Sequence, residues 1–187
     1  RAKNLSATTY RFGPGKPPRV RLFVPGGVET HGEEQLALDE TEDSGATATT
    51  WDEFEIVSKG TFTRAQSFKS RLGNFEWRYA SRKERKCLPG NPHNVLVLER
   101  IVRVFRNQQQ QRDEGGAEEV RTLVARLVRS EELRSPGSAA STAGNGGRLF
   151  IDLRVWPEEE KQAREMAQLL VVTTCLVMLK KEVDRRR

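Results

Sequence analysis

The chain has 187 residues, 36% of them apolar and 31% charged, with 32 basic and 26 acidic side chains giving a net charge of +6. That length fits one domain with one core, and the low apolar share excludes a multi-span membrane protein. Two cysteines, Cys87 and Cys175, and two histidines, His31 and His93, are too few for a clustered four-ligand zinc site or a disulfide framework to be expected.

Read from the start, residues 1–28 carry six basic side chains and no acid. Thr8 to Phe12 and Arg19 to Val24 are short, strand-like and separated by Gly13-Pro14-Gly15, which predicts a hairpin-like pair. No apolar run suits a signal peptide, and the chain begins at Arg1, so the reading is an N-terminally incomplete, intracellular protein. From Glu29 to Ser58 there are ten acids and no Lys or Arg. The stretch 28–50 is therefore expected to be a polar insertion.

Trp51 opens the most strand-like region. Phe54, Ile56 and Ser58 alternate with Glu55, Val57 and Lys59, Phe62 to Phe68 follows, and Gly73 marks a turn. Phe75, Trp77 and Tyr79 alternate with Glu76, Arg78 and Ala80, which predicts aromatics in the core and a wet opposite face. Val95 to Phe105 is a long strand candidate. The stretch 107–116, with its run of glutamines, reads as a surface loop. Val120 to Val128 fits both periods and leans towards helix on periodicity alone, 135–147 is a loop, and Leu149 to Leu153 is a further strand.

The C-terminal segment differs in kind. Pro157 and three following glutamates predict a helix start, and Lys180, Lys181 and the terminal arginines complement its other end. No charge occurs between Met166 and Leu179. Leu169, Val172, Leu176, Leu179 and Val183 form one stripe, yet apolar residues also cover other directions, so the helix is expected to be enclosed. A membrane span needs about 20 apolar residues, more than this run offers. A coiled-coil partner would use the single stripe alone. The residues favour a mainly β fold: a curved antiparallel sheet or closed β-barrel around a hydrophobic central α-helix, with no transmembrane span. The β-branched run Val171 to Thr174 leaves a strand leading into a shorter helix as the alternative.

The central block, Lys59 to Arg112, holds thirteen basic residues against Glu76, Glu84 and Glu99. Within it Arg78, Arg82, Lys83, Arg85 and Lys86 form the sharpest functional candidate, because guanidinium and ammonium groups converging after a strand can hold a phosphate. The expected partners are anionic lipid head groups or an acidic protein surface, with nucleic acid as the alternative. Gly13-Pro14-Gly15-Lys16 lacks the remaining residues of a phosphate loop. No histidine lies beside a nucleophile motif, Glu33, Glu34 and Asp39 lack calcium-loop spacing, and Cys175 reads as a core thiol. The expectation is a non-enzymatic protein without cofactor or metal.

Three strings and the C-terminus also carry a resemblance. Tyr10-Arg11-Phe12-Gly13-Pro14-Gly15 with Pro17-Pro18-Arg19, Phe75-Glu76-Trp77-Arg78-Tyr79-Ala80 with Arg82-Lys83-Glu84-Arg85-Lys86, Ala143-Gly144-Asn145-Gly146-Gly147-Arg148-Leu149, and the closing run from Thr173 to Arg187 resemble an uncharacterised filamentous-fungal protein family. That family is similar in turn to the tubby C-terminal-like group, with the LURP-one-related proteins and phospholipid scramblases. The resemblance implies one tubby-like domain over 1–187, a closed antiparallel barrel around a C-terminal helix, and a strand over 120–128. It also implies phosphoinositide-like phospholipid binding outside the barrel by a cytoplasmic protein that associates peripherally with membranes. A nucleic-acid-associated regulatory factor and a protein-docking scaffold are the competing expectations.

Overall fold

A computed structural model describes residues 5–11, 16–24, 51–60, 63–90, 92, 94–104, 118–130, 147–157 and 160–185. The turn at 13–15, His31, His93 and the insertions expected at 28–50, 107–116 and 135–147, apart from Gly147, lie outside the described residues.

Alternation in the first half becomes two antiparallel sheets. Strands β1 (Ser6–Thr9), β2 (Arg19–Phe23) and β3 (Trp51–Glu55) form the first, in that order. The second runs in sequence order through β4 (Val57–Ser58), β5 (Gln66–Ser70), β6 (Gly73–Tyr79), β7 (Asn94–Val104), β8 (Glu118–Arg129) and β9 (Arg148–Ile151). Ile56 alone separates β3 from β4. It is fully buried, and its N–H donates to the Pro18 carbonyl at 3.1 Å, so the chain steps from one sheet to the other at a single core residue. Among the described residues β1 and β9 each pair on one side only, and the sheets do not close into a barrel.

Between Val120 and Val128 the chain is strand, not helix. The helix-like spacing has a physical source: a β-bulge opposite Leu98 and Glu99 leaves Val124 as an extra residue, so adjacent Val124 and Ala125 both enter the core. Val128, on the opposite face, is buried as well, in a second small cluster with Ala80, Val95 and Val97. Burial on both faces removes the plain alternation that would have marked a strand.

The main core joins both sheets to helix α2 (Lys161–Arg185). Phe54, Phe68 and Phe75 stack in series with ring centroids 5.0 and 5.4 Å apart. The Trp77 indole N–H donates to Thr174 Oγ1 at 2.9 Å, and that hydroxyl donates to the Leu170 carbonyl at 2.7 Å. These bonds satisfy the hydroxyl inside a buried helix, and tertiary packing holds the β-branched run helical throughout. The helix begins at Lys161, after a 3-10 turn at Leu153–Val155 and the buried Trp156. Among the described residues no helix is long and apolar enough to cross a membrane.

Enclosure of α2 is incomplete. The buried residues of the helix run around it from Thr173 through Met166, Leu170, Thr174 and Val171 to Cys175, an arc of a little over half the circumference at about 100° per residue. The apolar stripe, expected to be enclosed with the rest of the helix, is covered only in part: Leu169 and Leu179 pack against the core, while Val172 is 43% and Leu176 59% exposed. The broad side of a helix this rich in apolar residues meets two sheets better than the narrow stripe does.

Candidate anion-binding site

The site is built where β6 runs out. Gly73, at φ +126°, allows the turn from β5, and β6 then sends Phe75, Trp77 and Tyr79 inwards and Glu76, Arg78 and Ala80 outwards. Ser81 ends the strand as the N-cap of α1 (Arg82–Lys86): its hydroxyl accepts from the Glu84 N–H at 3.2 Å, while the Glu84 carboxylate accepts from the Ser81 N–H at 2.7 Å. This capping box turns the run expected to be a plain turn into a short helix.

The outward face of β6 is not wet. Glu76 lies opposite Glu99 across the β6–β7 pair, a repulsive arrangement unless cations intervene. Lys59 reaches Glu76 at 2.7 Å, Arg121 reaches Glu76 and Glu99 at 3.3 and 3.2 Å, and Arg78 bridges Glu99 to Glu84. Arg78 holds Glu84 through two hydrogen bonds of 3.0 and 2.7 Å. The pair shifts both groups: Glu84, and then Glu99, hold the Arg78 guanidinium well above its ordinary value, and Arg78 with the Ser81 hydrogen bonds brings the Glu84 carboxyl down to about 2. Arg78 is thus a paired residue that fastens α1 to the sheet, and its charge is already balanced. Arg78, expected among the phosphate-binding residues, shares its charge with these two carboxylates.

Beside it opens a cleft of about 560 Å³ lined by Thr63, Arg64, Ala65, Arg78, Tyr79, Ala80, Arg85, Asn94 and Val95. Among the described residues three arginines and no carboxylate line it. The Arg64 guanidinium lies 5.7 Å from the Tyr79 ring centroid, a cation–π contact that orients it without neutralising it. Among the described residues Arg64 makes no ion pair. Asn94 Oδ1 is buried in the lining and has no hydrogen-bond partner among the described residues, an acceptor that a ligand hydroxyl would satisfy. Tyr79 separates the cleft from the interior, where its hydroxyl donates to Glu182 of α2. Burial first, and then that carboxylate, push the phenol up to about 12. Arg129 pairs with the other Glu182 oxygen at 2.8 Å, so the wall of the cleft is tied to the end of the helix. Half-buried Lys181, its pKa lowered by burial, donates to Gln66 Oε1 and the Ile56 carbonyl.

Of the five residues expected from sequence, Arg78 and Arg85 line this cleft, whereas Arg82, Lys83 and Lys86 project from the exposed sides of α1. Lys83 borders a second, smaller cleft of about 380 Å³, floored by Val95, Val97 and Leu123. Arg82, Lys83 and Lys86 make no ion pair among the described residues. Sequence reasoning missed Thr63, Arg64 and Asn94. Arg64 stood in the same basic block, but only the β5–β6 and β6–β7 pairings bring residues 63–65 and 94 to the end of β6. Cys87 is exposed, and Cys175 is buried, its thiol pushed up to about 11 by that burial. No cluster of metal-binding side chains occurs among the described residues.

No protein-family model, curated protein or solved structure matches the chain.

Proposed function

We propose that the chain is a non-enzymatic binding module that associates with anionic, phosphoinositide-like phospholipid through α1 and the adjoining cleft. One observation carries the reading: Arg64 lines a cleft whose described lining holds no carboxylate, beside Arg82, Lys83 and Lys86, which make no ion pair among the described residues. A phosphate with neighbouring hydroxyls suits both the guanidinium groups and the open Asn94 acceptor. In this reading the two sheets curve around α2 as one tubby-like domain, and the protein works as a peripheral membrane binder on the cytoplasmic side.

Phe75 and Trp77 are buried in the core, which leaves a nucleic-acid reading without the aromatic platform it would use. Cosedimentation with neutral, phosphatidylserine and phosphoinositide vesicles, with a single-stranded oligonucleotide competitor, tests the proposal. Phosphoinositide vesicles are expected to bind best, with affinity falling as salt rises. Replacing Arg82, Lys83 and Lys86 by Gln should weaken binding about 100-fold, at roughly 1 kcal/mol per cation near an anionic surface. Equal binding to neutral vesicles, or displacement by the oligonucleotide at lower concentration than by head group, would refute it.

A further inference from the structure

The smaller cleft beside α1, of about 380 Å³, lies within the size range of small-ligand sites. Strand pairing builds its floor on the outer face of the second sheet. Val97 stands opposite Arg126 and Glu99 opposite Leu123, and the bulge at Val124 brings Leu123 to the same face as Arg126. Val95 and Val97 are buried there, and half-buried Leu88 and Leu123 pack against them. Phe150 of β9 pairs with Arg126 and is 49% exposed, so apolar surface continues past the arginine.

The charges in the lining say what else a ligand must carry. Glu84 and Glu99 line the cleft, but every oxygen of both already accepts: Glu84 from Arg78 and the Ser81 N–H, Glu99 from Arg78 and Arg121. Lys83 and half-buried Arg126 line it too, and they make no ion pair among the described residues. An arginine held against apolar side chains without an acid is a preformed partner for an anion, and its planar fork matches a carboxylate in a bidentate pair. An apolar body with one anionic end satisfies both the floor and the cations. We propose that this cleft binds a medium-chain fatty acid, with its carboxylate between Arg126 and Lys83 and its chain on Val95, Val97, Leu88 and Leu123. The inference goes beyond the phosphoinositide reading, and Lys83 is the one cation that the two sites have in common.

Cys87 reports occupancy, because it lines the cleft and is exposed while Cys175 is buried. The test is the rate at which N-ethylmaleimide modifies Cys87 in the full chain with decanoate, octanoate or decylamine, each below its micelle concentration. Decanoate should slow the reaction saturably. Octanoate should need about 15-fold higher concentration, at roughly fourfold per methylene, and decylamine should not protect. Arg126→Gln should raise the half-protecting decanoate concentration about 10-fold, the loss of a charge-assisted pair. Lys83→Gln, on exposed α1, should raise it about fivefold, and it keeps a readout if Arg126→Gln fails to fold by circular dichroism. Arg19→Gln, on β2, should leave protection unchanged. No vesicle takes part, so a failure of phosphoinositide binding and a failure of this inference are told apart. Absence of protection by decanoate, equal protection by decylamine, or variants at Arg126 and Lys83 that behave like Arg19→Gln would each overturn the inference.

Discussion

Two basic regions of this molecule have opposite fates. On β2, Arg19 and Arg21 face Glu53 and Glu55 of β3 across the strand pair, with Arg19–Glu53 at 3.1 Å and Arg21–Glu53 at 2.6 Å, and Arg11 closes on Glu55. Arg11, Arg19 and Arg21 of the first basic block are thereby paired with the end of the acidic one. After β6, Arg78 is neutralised in the same way by Glu84 and Glu99, while Arg82, Lys83 and Lys86 leave the strand on α1 and meet no acid among the described residues. Register, more than composition, decides which cations stay available: a strand holds its charges opposite a partner, and a short capped helix turns them outwards.

The strongest way to break this contrast is to remove the carboxylate that both Arg78 and Arg121 use. Glu99→Ala leaves two partly buried guanidinium groups short of a partner and should destabilise the fold by about 3 kcal/mol, read as a lower urea midpoint. A change within experimental error would mean that the network is solvated and that Arg78 is no better committed than Lys83. Next in size is Glu84→Gln, which removes half of the capping box and the bidentate pair on an exposed helix, at a cost of about 1 kcal/mol. Its pH signature follows from a carboxyl held at about 2 instead of 4.5. The contribution is complete above pH 4.5 and is lost as pH falls towards 2, so the wild-type midpoint should drop more steeply over that window than the variant's. Parallel midpoint curves would disprove the link. Smallest is Arg21→Ala, one exposed member of the β2–β3 ladder, for which about 0.5 kcal/mol or less is expected in thermal unfolding.

Much of the fold was legible because its strands obey simple rules. Phe75, Trp77 and Tyr79 read as core, Gly73 as a turn, and the uncharged C-terminal run as helix. The exceptions were positions where two faces are buried at once. Val124 hid in a bulge, and Glu76 and Ala80 look like solvent-facing residues in sequence but are covered by the ion-pair network and the second apolar cluster. The stripe on α2 was legible as a line of apolar residues, yet not as a partly exposed one, because sequence periodicity gives the face without saying what packs on it. At the candidate site Arg85 and its neighbours on α1 were visible as a cluster. Arg64 and Asn94 were not, since antiparallel pairing brings them together across 30 residues of chain.

The contrast between the two basic regions is tested most directly by removing the same formal charge from each. Vesicle binding should be measured for two triple variants, Arg82, Lys83 and Lys86 to Gln, and Arg11, Arg19 and Arg21 to Gln, at equal protein and salt concentration. Loss of phosphoinositide binding in the first and near wild-type binding in the second is the predicted result. Equal losses would show that net charge alone drives association, and would contradict a site at α1.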